Sequence, residues 1–247
     1  MQFLVRTTKE GVMSNAGVDG RAAEQGKGAP KVVVVAAPKG GVGKSTLTMG
    51  LLVSARKVGY VAVGVGMDPQ NSLQRWSSFR ERQRSTSQGA DLVEVPVTSL
   101  SVHDYRRLLT MTGCDLVVVD TLPGVGEAIN SIISLCELAD VVLIPTSSSP
   151  MDVDQVVPFR KDIAGNKSWF VLNAANRRTR SFQKAKFGMQ AAGRVCPIEI
   201  PKLEAIPDQF LRGLTVSDKG EPGSEDFAAL WDFVRYELGL DGRSRAA

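Results

Sequence analysis

A chain of 247 residues with 43% hydrophobic and 23% charged side chains has the balance of an ordinary soluble protein and can bury one sizeable α/β core. Three dispersed cysteines (Cys114, Cys136 and Cys196) form neither a zinc knuckle nor a redox pair, and His103, the single histidine, leaves histidine-based metal or triad chemistry without material. The net charge of +4 tilts modestly toward anionic partners, while no apolar run approaches the ~20 residues of a membrane span and no signal-peptide pattern opens the chain. The expected location is the cytoplasm.

Residues 1–30 are Gly-rich, polar and without period after an opening MQFLV that could form a short extra strand. They read as a flexible leader to a single domain over residues 31–247. Val32–Ala37 is a β-branched run suited to a strand buried on both faces. Pro38–Gly43 packs three glycines into six residues, and Lys44, Ser45 and Thr46 open an amphipathic segment that runs to Val58. Strand, glycine loop and helix start form a phosphate cradle, because converging backbone N–H groups and the helix N-terminus favour anionic oxygen. Gly40, Gly41, Val42 and Gly43 line it; Lys44 can reach the β- and γ-phosphates, and the Ser45 hydroxyl can ligate Mg²⁺. A glycine-rich turn without a ligand is the bland alternative.

Further strands are expected at Val61–Gly66, Leu92–Val95, Leu116–Asp120, Val141–Pro145, Trp169–Asn173 and Val195–Ile200. Helices are expected at Ser72–Arg84, Val102–Met111, Glu127–Leu138, Asp152–Ile163, Phe182–Ala192 and Glu225–Leu238, with a short turn near Pro207–Arg212. This alternation predicts a doubly wound α/β fold, a mostly parallel sheet with helices on both faces and ligands beyond the carboxyl ends of the strands. Asp68 ends the second strand before Pro69, and serves either as a turn former or as a catalytic carboxylate. Asp120 ends an apolar strand where a carboxylate can hold the hydration shell of Mg²⁺. Arg177, Arg178, Arg180, Lys184, Lys186 and Arg194 fall in one stretch without an acid, which favours a phosphate backbone over plain solvation. Arg75–Arg84 is a second basic patch, interrupted by Glu81. Phe227, Leu230, Trp231, Val234 and Leu238 share a helical face that reads as core; the acids opposite them disfavour a lipid-binding role.

The loop K-G-G-V-G-K-S-T, with Lys39 inside it and Pro38 where the generic pattern has glycine, resembles the deviant Walker A motif of the ParA/MinD family of P-loop ATPases. Asp68-Pro-Gln resembles that family's switch I, and Asp120-Thr-Leu-Pro-Gly its switch II. Pro145-Thr-Ser-Ser-Ser-Pro150 followed by Asp152 resembles a further family segment, in which Asp152 either caps a helix or contacts a second subunit. The family often carries another acid two positions before Asp68, where this chain has Gly66. The resemblance runs from about Lys31 to Leu238 and favours the DNA-partition branch.

It implies that ATP and Mg²⁺ are bound, with Asn173 reading the adenine edge, Pro201 lying along the ring and Asp68 positioning water. It also implies that Lys39 reaches the phosphates of a second subunit in an ATP-dependent homodimer. Nonspecific DNA and a ParB-like centromere-binding protein are the partners it implies, and the nucleoid the place of action. A positioning ATPase for conjugation, secretion or polysaccharide machinery, or a small-molecule kinase or ligase of the same superfamily, would share these motifs.

Overall fold

A computed structural model describes residues 29–124 and 126–240. Nearly all of the expected leader, including the possible MQFLV strand, lies outside the described residues. Six strands, β1 (Lys31–Val35), β2 (Ala62–Gly66), β3 (Val97–Ser99), β4 (Leu116–Asp120), β5 (Val141–Thr146) and β6 (Ser168–Leu172), form one sheet in the order β3-β2-β4-β1-β5-β6. Every pairing between these strands is parallel. The expected doubly wound architecture is therefore present.

Strand alternation splits the core into two layers. Val32, Val34, Val117 and Val119 face one side, under α3 (Ile129–Leu138), α4 (Pro150–Phe159) and α5 (Arg180–Ala192). Val33, Val35, Leu116 and Val118 face the other, with α1 (Lys44–Lys57), α2 (Ser72–Arg84), the short α7 (Val216–Lys219) and α8 (Ser224–Glu237). The last short helix, α6, covers Ala205–Asp208. On α8, Phe227, Leu230, Trp231 and Val234 are all buried. An added Cβ at Gly50 of α1 would lie 2.2 Å from the Phe227 ring, so α1 and α8 touch closely. The apolar stripe of α8 is core, as its pattern requires.

Two expected strands are absent. The first lies at Leu92–Val95, where the carbonyls of Leu92, Val93 and Glu94 accept instead from the guanidiniums of Arg84, Arg80 and Arg56 at 3.1, 3.0 and 2.7 Å. Side chains thus take acceptors a ladder would use, and the strand starts after Pro96. The second, Val195–Ile200, is broken by Pro197, which has no N–H, and contributes only isolated pairing beside β6. Val102–Thr110 is a 3-10 helix, and α4 passes into a π turn at Arg160–Ala164 just after Pro158.

Candidate nucleotide site

Register brings the site together. Asp120 at the end of β4 pairs with Val35 of β1 and Gly66 of β2, so the glycine loop, Asp120 and the Asp68 turn share one sheet edge. Gly41 and Gly43 take positive φ values of 77° and 91°, a region open to glycine. Gly43 is required twice over, because a Cβ there would stand 2.0 Å from Asn173 Nδ2. The Asn173 amide donates to the Val42 carbonyl at 2.8 Å, which ties the end of β6 to the phosphate loop. Its next neighbour, Ala174, is held at φ 49°, a conformation that costs a non-glycine residue energy. Ala175 then exchanges backbone hydrogen bonds with Ile200 and Lys202 on either side of Pro201, so Asn173 and Pro201 flank one loop pair.

Three charged groups converge behind the loop. Burial lowers the Lys44 pKa, while the charges of Asp120 and Asp68 pull it back up. Lys44 Nζ donates to the Lys39 carbonyl at 3.3 Å. Ser45 Oγ donates to Asp120 Oδ2 at 2.6 Å, while Asp120 Oδ1 is buried without a hydrogen-bond partner. A hydroxyl and a carboxylate side by side, with a desolvated oxygen left over, are the oxygen donor set a hard cation takes. Ser45 and Asp120 therefore fit Mg²⁺. Asp68 Oδ1 accepts from the Gln70 N–H at 2.9 Å, so its carboxylate forms the turn after β2. Thr46 stands in the first turn of α1 and lines a small pocket with Ile206, Pro207 and Phe210.

Burial pushes the Asp120 carboxyl up from 3.8 to about 6, against the lowering influence of Ser45 and Lys44. A folded pKa above the unfolded one means that the native state binds more protons between those values. Stability of the metal-free protein should then fall as pH rises from about 4 to about 6 and stay low above that. Asp120→Asn should remove this slope and raise stability at about pH 8 by up to ~3 kcal/mol. Urea unfolding of both proteins at the two pH values checks it.

Two arrangements extend beyond what the motifs indicated. Lys39 Nζ is ion-paired with Asp152 Oδ1 within the same chain, and Ser147 Oγ donates to Asp152 Oδ2 at 2.6 Å. Burial would raise the Asp152 pKa, but the hydrogen bonds from Lys39 and Ser147 and the lysine charge hold it below the ordinary carboxylate value. Asp152 thus meets the loop lysine in addition to standing in the first turn of α4. Arg80, in the second basic patch, is buried and bonded to both oxygens of Asp218 at 2.8 and 3.0 Å.

The basic stretch is also less free than its sequence implies. Glu199, buried and distant in sequence, accepts from Arg177 at 2.9 Å and from Lys186 at 2.7 Å. Arg177 also lies 3.8 Å from Asp226, and the Arg194 guanidinium sits over the Trp169 ring at 5.3 Å. Arg178, Arg180 and Lys184 are exposed and have no ion pair among the described residues. The absence of acids along the stretch is therefore offset in space for Arg177 and Lys186. A lone Glu199 in an otherwise apolar run was the only sequence signal for this.

A parallel sheet whose glycine loop, buried lysine and strand-end carboxylates meet at one edge defines the P-loop class of nucleotide-binding proteins. Residues 33–216 match the family described as CobQ/CobB/MinD/ParA nucleotide binding domain, and the chain belongs to it. A "Maintenance of carboxysome distribution protein A" from Gloeobacter kilaueensis is 33% identical over 125 residues, covering 50% of this chain and 52% of that protein. A virC1 protein from Rhizobium rhizogenes is 28% identical over 127 residues, 51% and 53% of the two. The chain spans about half the length of these curated relatives. The MinD cell division protein of Aquifex aeolicus superposes with a TM-score of 0.65 at 16% identity, over 86% of this chain and 99% of that one. A putative plasmid partition protein from Borrelia burgdorferi bound to AMPPNP gives 0.63 at 15% identity, over 84% and 99%. These two likenesses show the shared fold.

Proposed function

We propose that this chain is a ParA-type ATPase that dimerises around ATP, binds nonspecific DNA, and moves a plasmid or chromosome with a ParB-like centromere-binding partner. The observation that carries the reading is Lys39, a second lysine of the phosphate loop whose ammonium is held by Asp152, while Lys44 Nζ donates to the Lys39 carbonyl. The resemblance to the ParA/MinD family implies that such a lysine serves a phosphate of a second subunit. Gly40 to Lys44 grip the phosphates of bound ATP, Ser45 and Asp120 hold Mg²⁺, Asp68 orients water, and Asn173 and Pro201 flank the adenine. The metal supplies neutralisation of the charge that develops during phosphoryl transfer. The partner stimulates turnover, and hydrolysis parts the dimer and releases DNA at the nucleoid in the cytoplasm.

Arg178, Arg180 and Lys184 carry the DNA contact, chiefly to phosphates. Arg180 opens α5, whose first turn holds no acid; a cation there works against the helix dipole, a local cost that a bound phosphate would repay. DNA binding measured with ATP, ADP and no nucleotide across a salt series tests the proposal. Replacing all three by alanine should flatten the log–log salt slope by about 3. Equal affinity in all nucleotide states would refute the switch.

The relative named for maintenance of carboxysome distribution favours a second reading, a positioning ATPase for a different cargo. The kinase or ligase alternative has less support. The cleft beside Asp68, lined among others by Asn71, Ser101, His103 and Glu127, holds no lysine or arginine among its described residues to take an anionic substrate.

A further inference from the structure

We propose that the outer face of α5 discriminates between forms of nucleic acid, with Phe187 as a stacking platform that favours an unpaired strand over an intact duplex. This rests on the DNA-binding reading above and adds specificity to it. The inner face of α5 is complete without Phe187, since Phe182, Ala185 and Met189 fill the core beneath it. Phe187 stands on the opposite side at 75% exposure, the highest among the exposed large apolar residues described. It lies one turn beyond Lys184 and two beyond Arg180, the i, i+4, i+7 spacing that aligns side chains along one face. Both cations are exposed and unpaired among the described residues.

Chemistry selects the occupant. A protruding ring beside cations needs a flat, apolar surface that is itself attached to phosphates. A duplex keeps its base faces stacked inside, whereas an unpaired strand presents them, and each base stacked on an aromatic contributes about 1–3 kcal/mol. Exposed Gln183 and Gln190 flank the ring one turn away on either side. Their amides can donate to and accept from base edges, but an anionic membrane would ask for further apolar residues at those places. The phosphate contacts are common to both DNA forms, so stacking on Phe187 supplies the larger part of the difference.

The test is fluorescence anisotropy of the full chain, loaded with a non-hydrolysable ATP analogue and Mg²⁺. The probes are an oligo-dT strand, a duplex of equal length, and vesicles containing phosphatidylglycerol. Phe187→Ala should weaken oligo-dT binding about tenfold and leave duplex binding within about twofold, while Phe187→Trp should retain the preference. Unchanged oligo-dT affinity in Phe187→Ala, or an equal loss on both DNA forms, overturns this inference and leaves the DNA reading standing. Wild-type protein that binds neither DNA form, or binds only the vesicles, overturns the DNA reading together with it.

Discussion

Lys39→Ala should bind ATP nearly as well as the parent chain yet fail to dimerise on it, and partner-stimulated hydrolysis should fall by about 10³ to 10⁵, the scale of a cation supplied in trans. The argument begins with what Lys39 touches. Its side chain keeps 38% exposure and its partner Asp152 8%, so solvent screens the pair and its net worth is at most about 1 kcal/mol. The Asp152 carboxyl, held below its ordinary pKa, stays ionised at neutral pH, so protonation does not open the contact. A triphosphate carries more charge than one carboxylate and can draw the lysine away. Within its own subunit, however, Lys44 already occupies the inside of the loop, with its ammonium on the Lys39 carbonyl. Asp152→Asn should act in the opposite direction and lower the ATP concentration at which dimers form. Sedimentation velocity with a non-hydrolysable ATP analogue, alongside steady-state turnover, reads both variants. A Lys39→Ala protein that dimerises and turns over normally would refute the role in trans.

Asp218→Ala should cost about 3–5 kcal/mol of stability, far more than any surface ion pair. Arg80 and Asp218 are each only 2% exposed in their side chains. The guanidinium also donates to the carbonyls of Val93 at 3.0 Å and Gly213 at 3.1 Å and lies 5.3 Å from the Trp76 ring. Removal of the carboxylate strands a buried cation. It also frees the Thr215 N–H, which donates to Asp218 Oδ2 at 2.7 Å and closes the capping box of α7. Arg80→Met combined with Asp218→Asn should recover part of the loss, because no charge is then left unpaired. Urea unfolding of the single and double variants measures the difference.

The order of elements and the phosphate loop were legible because both are written in local pattern. Valine runs define the central strands, and K-G-G-V-G-K-S-T specifies strand, turn and helix start within one contiguous stretch. Strand-end position was enough to bring Asp68 and Asp120 beside the loop. What escaped were contacts made over long sequence separation. Glu199 neutralises Arg177 from 22 positions away, and Asp218 reaches Arg80 across 138. Leu92–Val95 has the composition of a strand, but its carbonyls are drawn off by arginines on α1 and α2 that no window of periodicity connects to it. Asp152 could be read as a cap or as a contact; pairing with Lys39 depends on the spacing of β1 and β5.

Those arginine-held carbonyls have an outcome for how copies of the chain can meet. The β3 margin of the sheet is only three residues long, and the stretch leading into it has its acceptors occupied by guanidiniums. At the opposite margin, backbone groups of β6 are engaged by Arg194, Cys196 and Ile200. Among the described residues, neither border offers a long open row of amides and carbonyls of the kind that invites a foreign strand to extend the sheet and seed aggregates. Sheet continuation is thereby disfavoured at both sides as a route to self-association.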